Sequence, residues 1–291
     1  VTQVDYTIEG SGDDERPIVH VFGRTEDREA YHARIHDFRP YFYAPADSVS
    51  DDRLRSYDRI TDWEKQDATG EPFESIRGER LWKIYGQTPR DVGQIRDEFD
   101  HYEADILFPN RFLIDKDVTS GVTLPLREAE SGTLDVHHAE VEPADVQSTP
   151  RVNVFDIEVD DRQGFPEDGE EPIICIASHD SYDDEYVLWL YDAGQGVEAP
   201  ETLADYDPIR DEGNVDYDVR VFDTEERMLA AFLDYLEATD PDILTGWNFD
   251  DFDAPYLLDR LELLDVRSDA DLDYNRLSRV DEVWRSNWQG P

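Results

Sequence analysis

The order of apolar segments in the second half of the chain is the feature that most constrains its fold. Runs of apolar and β-branched residues predict three consecutive strands, at 151–159, 172–178 and 185–191. A short fourth strand is expected at 219–222 and a fifth at 242–246. The second strand is apolar with little alternation, which is typical of a strand covered on both faces, and the fifth is predicted to be buried. This segment therefore predicts a mixed sheet with flanking helices.

Two helices accompany the last two strands. Asp223 and Glu226 have the spacing of a capping box, which predicts that the first helix begins there. Three meandering strands followed by alternating helices and strands are the RNase H-like arrangement, so we expect an α/β domain of that type. Residues with a helical period predict the buried faces as Met228, Leu229, Phe232, Leu233 and Leu236 in the first helix, and Tyr256, Leu257, Leu261 and Leu264 in the second.

The first half of the chain predicts a separate α+β domain. A surface helix is expected at 47–57, and another helix begins at Thr88-Pro89, since proline is favoured in a first helical turn. We place this N-terminal domain at 1–130, a linker or shared strand at 131–150, and the second domain at 151–291. The predicted strands of the first half are 4–9, 17–22, 29–35, 40–43 and 81–85.

The chain carries a large negative charge. Its 72 acidic and 27 basic residues give −45 at pH 7, while 38% hydrophobic and 12% aromatic residues indicate a folded protein. Such a surface repels itself unless salt screens it, so we expect adaptation to a salt-rich cytoplasm. The single Cys175 excludes an internal disulfide, and apolar runs such as 173–177 are far shorter than the ~20 residues of a membrane helix. A soluble, cytoplasmic, monomeric chain is expected.

Two carboxylates lie on the first strand of the second domain. Asp156 and Glu158 are two residues apart, so they share a face of the strand with Val154. They interrupt an apolar strand, where charges are costly unless they are paired or bound to metal. Mg²⁺ favours such oxygen ligands. A solvated surface pair is the alternative, because Asp-x-Glu occurs elsewhere in this acidic chain.

A second acidic segment follows the last predicted strand. Thr245 to Asp253 lies where this strand ends and a helix begins, a common place for a ligand site in α/β folds. Asp253 is expected to point back at Asp156 and Glu158, whereas its neighbours at 250 and 251 are expected to be solvated or helix-capping. Three carboxylates from two segments suit two-metal hydrolysis of a phosphodiester, in which the metals activate water and stabilise the reacting oxygens.

These segments together resemble the archaeal family B DNA polymerases, with the acidity of a halophile. Val154-Phe-Asp-Ile-Glu158 is similar to the first exonuclease motif of that family, and Asn248-Phe-Asp-Asp-Phe-Asp253 to the second. The resemblance covers nearly the whole chain. Further similar segments are 4–6, 38–43, 81–85, 111–115, 224–229 and 240–244.

The resemblance implies roles for individual residues. Asp156, Glu158 and Asp253 correspond to the catalytic, metal-binding residues of a 3′→5′ proofreading exonuclease that uses Mg²⁺ or Mn²⁺. Asn248 corresponds to a residue that positions the scissile strand, and Phe252 to one that lies beside the terminal bases.

Archaeal members also capture template uracil in their N-terminal domain. A pocket of aromatic rings and proline accepts a flat base, and Arg111 is expected to bind a phosphate. Gly78 and Leu81 depart from the proline and the smaller valine that relatives carry in the pocket wall. The alternative is that the matching apolar positions are core residues. The implied uracil pocket consists of Tyr6, Pro40, Tyr41, Leu81, Arg111 and Phe112.

The third exonuclease motif of the family, Tyr-x-x-x-Asp, does not follow Asp253, and the polymerase motifs do not occur. We therefore expect an N-terminal fragment that stops at Trp288–Pro291, with an incomplete two-metal site and poor hydrolysis of DNA. The expected parent is a DNA-directed DNA polymerase that acts on a single-stranded template and a primer 3′ end, with a sliding clamp as partner. Two alternatives stay open: a stand-alone RNase H-like nuclease, and a non-catalytic module that senses deaminated template bases.

Overall fold

The structure is a computed structural model that describes residues 1–125, 132–198 except 163, 165 and 167, and 217–285. The chain divides into two compact units, Val1–Thr149 and Pro150–Pro291. Both units mix strands with helices, which confirms the predicted α/β character of the chain. The predicted chain end at Trp288–Pro291 and position 131 of the predicted linker lie outside the described residues.

Three sheets form the first unit. Its strands are β1 (Gln3–Glu9), β2 (Arg16–Arg24), β3 (Ala30–His36), β4 (Tyr41–Pro45), β5 (Ile60–Glu64), β6 (Phe73–Glu74), β7 (Arg80–Gly86), β8 (Gly121–Thr123), β9 (Thr133–His137) and β10 (Glu142–Ala144). One sheet has the order β1-β2-β3-β9, in which β9 is parallel to β3. In the second sheet β7 pairs with β4, β5 and β6, and in the third β8 pairs with β10.

The helices of the first unit are α1 (Asp51–Leu54), α2 (Pro89–Ile95) and α3 (Phe108–Asp115). Thr88 caps α2 through a capping box with Asp91, so the predicted start of this helix is correct. The surface helix expected at 47–57 is wrong in length, because α1 is a single turn in which only Leu54 is buried. A turn with one buried side chain gains little packing energy, and helix formation depends on such packing.

The described residues of the second unit form one five-stranded sheet and two α-helices. Its elements are β11 (Val152–Val159), β12 (Ile173–Asp180), β13 (Glu185–Tyr191), β14 (Tyr217–Phe222), α4 (Glu225–Thr239), β15 (Ile243–Thr245) and α5 (Ala254–Asp265). The strand order is β14-β13-β12-β11-β15. β11, β12 and β13 are antiparallel neighbours, whereas β14 runs parallel to β13 and β15 parallel to β11.

The two long helices bury the faces that the sequence predicts. All nine apolar positions assigned to their buried faces lie in one core cluster with Phe155, Ile176 and Trp189. The predicted cap of α4 is wrong by one residue, because Thr224 is the N-cap and its side chain accepts the Arg227 N–H. Asp223 lies outside the helix and pairs with the Arg227 guanidinium instead.

Two predictions of strand burial are wrong. β12 buries Ile173, Ile176 and Ser178 on one side and leaves Ile174 exposed. The other face of this strand is therefore only partly buried. β15 is a short edge strand with Ile243 exposed. An apolar run shows that a segment is compatible with burial, but the neighbouring elements decide how many faces are covered. Among the described helices, none combines the length and apolar character that a bilayer crossing requires.

Candidate active site

β11 presents Asp156 and Glu158 on its exposed face. Burial alternates along this strand: Asn153, Phe155 and Ile157 face the core, while both carboxylates face outward. The two carboxylates therefore share one face, as predicted. Their setting is not a core, however, so burial cost alone does not require a metal there.

Asp253 reaches the edge of β11 between these two carboxylates. It is 2% exposed, and its Oδ1 accepts a hydrogen bond of 3.0 Å from the Ile157 N–H. The pairing of β15 with β11 ends at Thr245 and Val154, so the N–H of Ile157 lies beyond the last residue of β15. The structure thus confirms that Asp253 points back at the strand of Asp156 and Glu158.

The electrostatics of this edge are dominated by negative charge. Burial raises the pKa of Asp253, the Ile157 N–H opposes that rise, and the Asp156 carboxylate adds to it. Cys175 lies opposite Glu158 in the β11–β12 register. The pKa of its thiol is raised to about 11 by burial first and then by the charges of Glu158 and Asp156. Among the described residues, no basic side chain forms an ion pair with these three carboxylates.

The donor atoms suit a divalent cation, but the ligand set is not closed. Carboxylate oxygens that lack a cationic partner are the ligands Mg²⁺ and Mn²⁺ prefer. Within the part of the chain that the structure describes, however, no three His, Cys, Asp or Glu side chains converge into a group able to hold a metal ion. Asp156, Glu158 and Asp253 meet at one strand edge, but among the described residues they do not form a closed ligand group.

The segment that leads to Asp253 has a restricted backbone. A Cβ atom on Gly246 would lie 2.2 Å from the Phe155 carbonyl oxygen, so glycine is required for this close approach. Asn248 is exposed and adopts a left-handed conformation with φ 58°. Phe252 is partly buried and stacks on Tyr256 with ring centroids 5.5 Å apart. The structure places both predicted substrate contacts in the π-helical turn at 249–253 or immediately before it.

Two contributions to this site are not foreseen from the sequence. The Ile157 N–H holds Asp253, and Cys175 faces Glu158 across the hairpin. The Ile157 donor is a backbone N–H, so the identity of the side chain at this position does not predict the hydrogen bond. The pairing of Cys175 with Glu158 depends on the register between β11 and β12, which the periodicity of either strand alone does not show.

The residues of the implied uracil pocket lie in the first unit. The Arg111 guanidinium lies 4.6 Å from the centre of the Tyr41 ring, and the Tyr41 hydroxyl donates to the Asp115 carboxylate at 2.7 Å. Arg111 is 4% exposed and binds the side chain and carbonyl of Glu103. Because Arg111 is buried and two of its N–H groups bind Glu103, its phosphate contact stays a prediction.

The other four pocket residues pack mainly as core. Tyr6 contacts Phe108 edge-on with ring centroids 5.4 Å apart, and Phe112 is fully buried in the same cluster. Pro40 is buried, and Leu81 is 5% exposed at the start of β7. The alternative interpretation of these positions as core residues agrees with this burial.

Comparison with known proteins decides the family. The model of the DNA polymerase family B exonuclease domain matches residues 99–288. The chain belongs to DNA polymerase family B. Among curated relatives of the family, the DNA polymerase delta catalytic subunit of Oryza sativa subsp. japonica is 28% identical over 90% of this chain. The DNA polymerase of Pyrococcus glycovorans is 27% identical over 92%.

A solved family B structure has a similar fold. The family B DNA polymerase from the hyperthermophilic archaeon Pyrobaculum calidifontis aligns with 94% of this chain at a TM-score of 0.64 and 25% identity. This chain covers 33% of that structure, 27% of the rice protein and 29% of the Pyrococcus protein. It therefore spans about a third or less of the family B proteins that it matches.

Proposed function

We propose that this chain is part of a DNA-directed DNA polymerase and carries part of a 3′→5′ proofreading exonuclease site on an RNase H-like domain. The observation that carries the proposal is the hydrogen bond from the Ile157 N–H to Asp253. It brings a carboxylate from the second motif to the backbone between the two carboxylates of the first. Membership of the family B exonuclease domain supports the same assignment.

We propose a task for each residue. Asp156 and Glu158 would hold divalent cations from the open face of β11, and Asp253 would contribute from the strand edge, where a backbone donor fixes its orientation. Mg²⁺ or Mn²⁺, when bound, supplies an activated water and neutralises charge on the attacking and leaving oxygens. Asn248 positions the scissile strand from its exposed, left-handed position. Phe252 lies beside the terminal bases.

The open ligand arrangement limits the activity expected of these 291 residues. Two-metal hydrolysis needs both cations held at once, and the described residues supply no closed ligand group. We therefore expect weak metal binding and slow or undetectable DNA hydrolysis. DNA synthesis and a sliding-clamp partner are proposed for the whole polymerase.

The test compares Mn²⁺ binding in three variants. Asp156→Asn and Asp253→Asn keep the shape of each side chain and remove its charge, while Asp250→Asn removes an exposed charge from the same turn. Mn²⁺ binding is measured by electron paramagnetic resonance, and shortening of a 5′-labelled single-stranded oligonucleotide is followed in parallel. We expect the first two variants to lose the strongest Mn²⁺ site and the third to keep it.

Two results would contradict the proposal. Equal Mn²⁺ binding in Asp156→Asn and Asp250→Asn would show that the candidate carboxylates hold no metal. Rapid Mg²⁺-dependent digestion of DNA that disappears in Asp156→Asn would show that the site is complete, and the stand-alone nuclease would then be the better assignment.

We also propose that the first unit contacts template DNA and selects uracil. The adjacency of Tyr41 and Arg111 supports this, with Arg111 fixing the ring. Binding of a uracil-containing oligonucleotide is compared with its thymine counterpart. Arg111→Ala should remove any preference for uracil, whereas Asp156→Asn should leave it intact. Equal wild-type affinity for both oligonucleotides would refute uracil selection.

The charge of the chain supports a third proposal, that the protein works in a salt-rich cytoplasm. A net charge of −45 destabilises a compact state through self-repulsion, and salt screens that repulsion. We expect the urea midpoint of unfolding to rise as KCl increases toward molar concentration. A midpoint that stays constant over that range would refute the proposal.

A further inference from the structure

Among the described residues of the second unit, Trp247 has the most exposed large aromatic side chain. It is 88% exposed, and within the described residues no aromatic ring or cation packs against its indole. An indole offers a large apolar face with one polar N–H, so leaving it in water forgoes considerable contact energy. Trp247 lies inside the acidic segment from Thr245 to Asp253.

The backbone around Trp247 is held firmly. Gly246 passes so close to β11 that a Cβ atom there would collide with the Phe155 carbonyl oxygen. On the other side, the carbonyl oxygen of Asn248 accepts hydrogen bonds from the N–H groups of Asp251 at 3.1 Å and Phe252 at 2.9 Å. The backbone that carries the exposed indole is therefore held by contacts on both sides of Trp247.

Trp247 lies two residues beyond the last paired residue of β15, on the segment that leads to Asp253. β15 pairs with β11 in parallel, with Thr245 opposite Val154. Gly246 then lies against Phe155, as its close contact shows, and Trp247 is the next residue in the chain. An open groove of about 390 Å³ runs along β15 and residues 248–251, so residues on both sides of Trp247 line it.

We propose that the Trp247 indole is a stacking platform for one base of single-stranded DNA near the 3′ end. This inference rests on the proposed exonuclease function and adds a substrate contact to that site. Charge strengthens the argument, because a chain with 72 acidic and 27 basic residues attracts phosphates poorly. Stacking on an aromatic ring depends little on charge and accepts any base, as a proofreading site requires.

The experiment measures binding of a fluorescent single-stranded oligonucleotide to the 291-residue chain by anisotropy, with Ca²⁺ as the divalent ion. Trp247→Ala is compared with Trp247→Phe and with Trp284→Ala, which removes another exposed indole. Stacking contributes about 5- to 150-fold per base, so we expect a loss in that range for Trp247→Ala. Trp247→Phe should recover most of the affinity, and Trp284→Ala should bind like wild type.

Abasic oligonucleotides separate stacking from a general effect on the fold. One base at a time is removed from the last three positions at the 3′ end. At one of these positions the loss caused by Trp247→Ala should disappear, because the base that stacks on the indole is already missing. The urea midpoint of Trp247→Ala should equal that of wild type, since the side chain is exposed.

The outcomes distinguish this inference from the function on which it rests. If wild type binds DNA and Asp156→Asn weakens its Mn²⁺ binding, but Trp247→Ala binds DNA within twofold of wild type, the stacking role alone is overturned. An equal loss on every abasic oligonucleotide overturns it as well. If wild type binds neither DNA nor Mn²⁺, the proposed exonuclease function is wrong, and the stacking role of Trp247, which rests on that function, is wrong as well.

Discussion

The buried ion pair between Arg260 and Glu225 offers a quantitative test of what holds the second unit together. Arg260 Nε and Nη2 donate to the two oxygens of Glu225 at 2.8 and 2.5 Å, and both residues are less than 8% exposed. Arg260 also donates to the carbonyls of Gly169 and Glu170, and Glu225 accepts the Ile173 N–H at 2.8 Å. The pair thus joins α4, α5 and the start of β12.

Arg260→Met should lower the free energy of unfolding by about 3–5 kcal/mol. The variant leaves the Glu225 carboxylate buried with one backbone donor, and breaking a buried pair from one side costs that much. Arg260→Met combined with Glu225→Met should cost only about 1–3 kcal/mol, because both charges are gone and only backbone groups lose partners. The exposed pair of Arg227 and Asp223 is the matched control, for which Arg227→Met should cost at most ~0.5 kcal/mol.

Urea unfolding of each variant, in low and in molar KCl, provides the measurement. Salt screens exposed charges far more than buried ones, so the cost of Arg260→Met should change little between the two conditions. Two results would refute this reasoning: a cost for Arg260→Met no larger than that for Arg227→Met, or a double variant whose cost equals the sum of its two single variants.

Three further predictions use the same unfolding assay. Gly169→Ala should lower the free energy of unfolding by more than ~1 kcal/mol, because φ is +66° and the new Cβ would lie 2.7 Å from a backbone nitrogen of α5. Gly93→Ala, in open space on α2, should instead raise it by about 0.5–1 kcal/mol. Equal effects of the two variants would contradict this prediction. Burial lowers the pKa of His20, whose ring forms a hydrogen bond of 2.9 Å with His32. The contribution of His20 to stability is therefore complete above pH 6.5 and is lost as the pH falls below that value. His20→Gln should make this loss of stability smaller, and a pH profile equal to that of wild type would contradict the prediction. Neither polar atom of the buried Asn153 side chain has a hydrogen-bond partner among the described residues. Asn153→Leu should therefore keep or raise the free energy of unfolding. A loss above ~1 kcal/mol would contradict this and would indicate a partner such as a buried water.

The buried faces of the two long helices in the second unit can be predicted from the sequence, because only one side of each helix carries apolar residues with a helical period. Met228, Phe232 and Leu236 repeat with a helical period, and only one side of α4 meets the sheet. The cap of the same helix shows where such reasoning fails. Asp223 and Thr224 are both good capping residues, and the choice depends on which of them is extended beside the first turn.

Strand exposure is less predictable because it depends on the neighbours of each strand. The alternation in β11 correctly predicts that Asp156 and Glu158 share a face. The apolar runs of β12 and β15 suggest burial, yet β12 has one open face and β15 lies at the sheet edge. Composition shows that a strand tolerates burial, whereas strand order decides whether burial occurs.

The position of Asp253 depends on a similar detail, the length of β15. If β15 continued along β11 for a few more residues, its backbone would take the Ile157 N–H and leave no place for a side chain. Instead β15 has three residues, Gly246 lets the chain pass close to Phe155, and the left-handed Asn248 starts the turn that returns Asp253 to the strand edge. An Asn248→Ala variant isolates this step, because alanine disfavours the left-handed conformation while leaving every carboxylate in place. If this turn positions Asp253, the variant should weaken Mn²⁺ binding as Asp253→Asn does; Mn²⁺ binding equal to that of wild type would show that the carboxylate reaches β11 without it.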